Sequence, residues 1–261
     1  YNMGWHSKGG HDRTFGTNAK AWDWCSVNNA GFEYYQNAKK DGIGLPPHNP
    51  RIWVFRHQSN ASCAPRLRRV WHPIGYSSNS GWSNFFINIT AGRLLTYTNT
   101  LLKFALPDIV IGTGGGYNTY DIYESVNHEL SHASHFNKVG SAFWAKYVNY
   151  IITYGKKYDH PYGDASCNNS GFCGVGEMWG YAMGYIRTYE KYQQKPKNGQ
   201  SKWFQPNLLY DLMTEKILTK KQIFDCLSSD VTSHALLKQK MISRYPSKKD
   251  SIIAKFSRYG F

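Results

Sequence analysis

The sequence predicts an α+β fold, a small mixed sheet in the first half followed by a mainly helical second half. Three observations carry this. Short β-rich runs occur only before residue 113: RIWVF at 51–55, NFFINI at 84–89 and DIVIG at 108–112. Apolar residues recur at helical spacing from residue 118 almost to the end. The 261 residues, with aromatics at 16% and charged residues at 18%, suffice for one substantial core, because large rings bury enough area to offset chain entropy. We therefore expect a single domain over 1–261, with a mixed half at 1–137 and a helical half at 138–261.

In chain order, 1–16 reads as an irregular entry rich in Gly and His. Helical spacing then runs through Ala21, Trp24, Cys25, Val27, Phe32 and Tyr35, predicting a helix over 18–40 that ends at Gly42. Residues 57–83 are loop-like. Leu94, Leu95, Leu101 and Leu102 suit a helix over 92–106, which Pro107 stops. After DIVIG and its glycines, a helix is expected at 118–137. Further helices follow at 141–154, 176–193, 206–217, 219–228, 233–243 and 249–257. No segment has the roughly 20 apolar residues that span a bilayer, and mean hydropathy is −0.56.

The net charge of +14 would suit nucleic acid or another acidic polymer. However, the basic residues are scattered and accompany no nucleic-acid module signature, so they read as a solvated surface. Cys167 and Cys173 bracket CNNSGFC and could close a small disulfide or stay as buried thiols; five cysteines leave at least one free. The chain starts at Tyr1, which suggests a mature form or an excised domain. Only six of the residues are Glu, while Trp, Tyr, Asn and Gly are plentiful. The composition fits a secreted, periplasmic or cell-surface protein, expected to be a monomer.

Chemistry concentrates in VNHELSHASHF, which contains HExxH as His128, Glu129, Leu130, Ser131 and His132. On a helix, positions i and i+4 share a face, so the two imidazoles can reach one metal ion. Glu129 is turned by about 100° from His128, close to the metal without being aimed at it. That suits a general base acting on metal-activated water. By chance the pattern would arise in roughly one chain in a hundred of this composition.

A catalytic zinc takes a third protein ligand and keeps one position open. His135 shares the helix face but stands ~7–8 Å along the axis from the metal, given a rise of ~1.5 Å per residue. It is expected to line the cleft or support the ligands. Glu177, in GVGEMWGYAMGY, is the stronger candidate. Its neighbours are apolar, so an unpaired carboxylate there would be costly, and Gly180 and Gly184 allow a close helix approach.

HExxH with a downstream glutamate on a second helix resembles the gluzincin type of zinc metallopeptidase. The resemblance implies a zincin-like domain with Zn2+ held by His128, His132 and Glu177. It also implies Glu129 as base and then proton donor to the leaving amine. A Tyr or His would stabilise the oxyanion; Tyr181 and Tyr185 are the helical candidates, Tyr158 and His160 the loop ones. The substrate would be a peptide or protein, glycoproteins among them, with DIVIG as the edge that pairs with it. The metzincin extension HExxHxxGxxH is absent. The alternative is a catalytically inactive zincin-fold module that binds glycan or protein ligands through exposed aromatics.

Overall fold

The computed structural model describes residues 15–56, 62, 64, 107–114, 116–158, 162–195 and 202–261. The expected strand at 84–89 and helix at 92–106 lie outside these residues, as do His160 and the Tyr158 side chain. The described chain is mostly helical and carries one small sheet.

Helix α1 spans Lys20–Asp41 and closes on Gly42 in the left-handed region, φ 69°, a helix end that glycine adopts without strain. Strands β1 (Ile52–Phe55) and β2 (Ile109–Gly112) pair in parallel, Ile52 opposite Ile109 and Phe55 opposite Gly112. The Asp108 carboxylate accepts from the Arg51 amide at 3.0 Å, fixing the start of that register. A two-stranded parallel pair compatible with α+β thus stands where a mixed sheet was expected.

Helix α2 covers Thr119–Tyr158. Its entry is a reciprocal cap: Asn118 Oδ1 accepts from the Asp121 amide and Asp121 Oδ2 from the Asn118 amide, both at 3.1 Å. Its bend is Gly140, at φ 82°, ψ 176°, a conformation available essentially to glycine alone. The two helices expected at 118–137 and 141–154 thus meet at this residue, where the backbone leaves helical geometry.

Helix α3 (Ser170–Tyr192) is followed by α4 (Asn207–Thr214), α5 (Lys220–Cys226), α6 (His234–Arg244) and α7 (Lys249–Arg258). Helix α5 opens on a capping box between Thr219 and Gln222. Among the described residues no helix is long and apolar enough to cross a membrane.

The main core joins α1, the sheet, the first part of α2, α3 and the C-terminal helices through residues such as Tyr34, Ile111, Leu130, Trp179, Leu212 and Phe256. A second, aromatic cluster forms around the bend, from Phe136, Phe143, Trp144, Tyr147, Tyr150 and Phe172. Helix α2 thus carries HExxH between two packed regions. It is tied to α1 by the Tyr34–Ser134 hydroxyl pair at 2.7 Å, and to α3 by Trp179 Nε1 donating to the Ser131 carbonyl at 3.2 Å.

Candidate metal centre

The helical spacing of HExxH brings His128 and His132 together as expected. Their Nε2 atoms are 2.9 Å apart. Helix α3 supplies the third group. Glu177 Oε2 lies 3.5 Å from His128 Nε2, and Glu177 Oε1 lies 3.6 Å from His132 Nε2. Glu129 Oε1 is further off, 3.9 Å from His128 Nε2. One ligand atom from each of His128, Glu129 and His132 falls within 4.8 Å of the others, a buried group that could hold a metal ion.

The approach of α3 depends on Gly180. A Cβ there would stand 2.6 Å from His132 Cε1 and 3.2 Å from His128 Cε1. At Gly184 it would stand 3.1 Å from the Glu124 carbonyl. Both glycines singled out by spacing therefore face α2, and Gly180 abuts the two imidazoles.

Glu177 lies well inside α3, which begins seven residues earlier at Ser170. The favourable field of a helix N-terminus has faded there. Side chains hold the carboxylate instead, and the Tyr147 hydroxyl donates to Oε1. Burial pushes the Glu177 pKa up, but His132, His128 and the Tyr147 hydroxyl together outweigh it and leave the group below its ordinary value. Glu129 behaves oppositely. Burial, reinforced by the Glu177 charge, holds it well above the carboxylate range. Burial and the neighbouring His132 push His128 down to about 3, so its imidazole is neutral at pH 7, as a metal ligand requires.

Several polar atoms here lack a hydrogen-bond partner, among them Glu129 Oε2, Glu177 Oε2 and His132 Nδ1. Buried carboxylate oxygens left so are costly without a compensating ligand. Two imidazoles and a carboxylate form a donor set that divalent zinc accepts.

The cluster opens onto a cavity of about 450 Å3, whose lining includes Glu124, His128, Glu129, Tyr162, Tyr181 and Lys202. That size suits a small ligand or a short stretch of chain. A larger hollow, about 730 Å3, lies beside β1 between Trp24 and Phe55, but no titratable side chain lines it.

Tyr181 packs edge-on against the His128 ring at 4.3 Å between centroids, and its hydroxyl is 2.8 Å from that of Tyr162. Tyr185 is not part of the lining; its ring contacts Tyr181 and Tyr210. His135 is also away from the cavity. It is fully buried against Phe143 and Trp144, and neither ring nitrogen has a partner. Burial pushes it down to about 3.

Sequence reasoning did not find Tyr147, Tyr162 or Lys202. Each is remote in sequence from HExxH, and no local pattern marks one tyrosine among 20.

Cys167 and Cys173 are free thiols. Compared with known protein families, with curated proteins and with solved structures, the chain matches none. The site alone defines a class: a buried two-histidine, two-glutamate cluster at the wall of a cavity.

Proposed function

We propose that the chain is a zinc-dependent peptidase of the zincin kind, hydrolysing peptide bonds with Glu129 as general base. The observation that carries this reading is the convergence of His128 Nε2, His132 Nε2 and the Glu177 carboxylate within 3.6 Å of one another, with the Glu129 carboxylate beside them on the cavity wall.

His128, His132 and Glu177 would hold the zinc. When bound, zinc supplies Lewis acidity, polarising a carbonyl and bringing the pKa of water towards neutrality. Glu129, on the cavity wall with Oε1 3.9 Å from His128 Nε2, takes a proton from water in the cavity and returns it to the leaving amine. Tyr147 keeps the Glu177 carboxylate oriented through its hydroxyl. In the Tyr162–Tyr181 pair one hydroxyl donates to the other, which leaves the acceptor's own proton available to a developing oxyanion. Tyr181 thus has the supporting geometry, whereas Tyr185 has none. The binding-module alternative gives Glu129 no task.

Glu129→Gln tests the reading. Wild type should cleave a mixed peptide library, lose activity to a chelator and regain it with zinc. The variant should keep its zinc while cleavage falls by a factor on the order of 100 to 10,000. Equal cleavage by the two proteins, or none by folded, zinc-loaded wild type, would contradict it.

A further inference from the structure

Lys202 comes from the segment just before α4, outside both helices that carry the His–Glu cluster. Its Nζ lies 4.5 Å from the centre of the Tyr181 ring, 5.0 Å from Tyr162 and 5.9 Å from Phe204. This cradle is fixed. Tyr181 stacks on Phe204 with centroids 5.7 Å apart and planes at 29°, and Phe204 is fully buried. The Lys202 carbonyl accepts from the Gln205 amide at 2.8 Å, and Trp203 Nε1 donates to the Tyr162 carbonyl at 3.1 Å. The ammonium faces the same cavity as His128 and Glu129.

Lys191, Lys220, Lys221, Lys240 and Lys255 each pair with a carboxylate. Lys202 pairs with none among the described residues. Aromatic faces attract an ammonium but do not accept its three N–H bonds with lone pairs. Of the two other charged residues in the lining, Glu129 is the proposed base, and Glu124 forms no ion pair with Lys202. A held, half-desolvated cation that lines a reaction cavity, with no ion-pair partner among the described residues and only the longer-range field of Glu177, itself a proposed zinc ligand, is suited to an anion that arrives with the ligand.

We propose that Lys202 docks a carboxylate of the substrate, so that the site prefers peptides with negative charge near the scissile bond. The proposal rests on the peptidase reading. The carboxylate has two sources, an acidic side chain or the peptide's own C-terminus.

The test is calorimetric titration of three matched peptides into Glu129→Gln protein, with and without Lys202→Met. One is acetylated and amidated with a central Gln, one carries Glu in its place, and one keeps Gln but has a free C-terminal carboxylate. At least one charged peptide should bind about tenfold tighter than the neutral one, the scale of a single charge-assisted contact. Lys202→Met should bring that ratio to about one, and Lys202→Arg should restore most of it. A gain confined to the Glu peptide assigns the side chain as the source, and a gain confined to the free terminus assigns the C-terminus. Equal affinities, no measurable binding of any peptide, or a preference that survives Lys202→Met would overturn the proposal. Zinc content is measured on every sample and the titrations are repeated on metal-free protein. Failure to bind zinc therefore counts against the peptidase reading, while the affinity ratios alone decide the docking.

Discussion

Glu177 lies 97% out of solvent, where a lone carboxylate would be expensive, and its surroundings account for its presence. Two imidazole nitrogens stand within 3.6 Å and the Tyr147 hydroxyl donates to it. Tyr147→Phe removes that donor and keeps the ring that packs against Trp144 at 4.7 Å. We expect the variant to fold and to bind zinc some 10- to 100-fold more weakly, the usual size for loss of a group supporting a ligand. Competition with a chromophoric chelator measures it, and unchanged affinity would reduce Tyr147 to packing. At this scale HExxH was fully legible, because helical periodicity alone brings His128 and His132 together. Glu177 was legible through scarcity and apolar context. Tyr147 and Lys202 were not, since their positions depend on how distant segments pack.

Gly140 and Gly180 shape the elements that present the site. Gly140 carries a positive φ, and a Cβ there would meet nothing within 4 Å, so Gly140→Ala isolates backbone strain. It should lower stability by about 1–3 kcal/mol, read from denaturant unfolding; a neutral result would mean the bend relaxes freely. Gly180 acts by contact, since any side chain would press on the two histidine rings.

The helices after residue 118 and both described strands were legible from periodicity and from their glycine and proline stops. The start of α3 was not. A helix was expected from residue 176, yet the CNNSGFC loop already turns helical at Ser170. Closely spaced glycines argue against a helix locally, but tertiary packing prevails. At Gly171 a Cβ would reach within 2.0 Å of the Thr232 carbonyl, so only glycine lets this turn dock.

Buried histidines contribute to the acid response of the whole molecule. His234 is 8% exposed and stacks on Phe261 with centroids 4.1 Å apart; burial lowers it to about 4 from an ordinary 6.5. His135 is lowered to about 3. Between the folded and ordinary values the unfolded chain binds protons that the folded chain does not. Their contribution is therefore intact above pH 6.5 and is lost as pH falls towards the folded values. The urea midpoint of wild type should fall more steeply than that of a His234→Phe variant from about pH 6.5 to about pH 4. His234→Phe should flatten part of that slope, by on the order of 2–3 kcal/mol across the window. Identical slopes in the two proteins would contradict this account of His234.

The claim on which the functional reading depends is that one metal ion is held by His128, His132 and Glu177 together. Zinc titration of metal-free wild type and of Glu177→Ala, with elemental analysis of the purified proteins, tests it most directly. The account predicts one zinc per wild-type chain and binding lost or at least tenfold weaker in the variant. A folded wild type that takes up no zinc, or a Glu177→Ala protein that binds it as tightly as wild type, would contradict it.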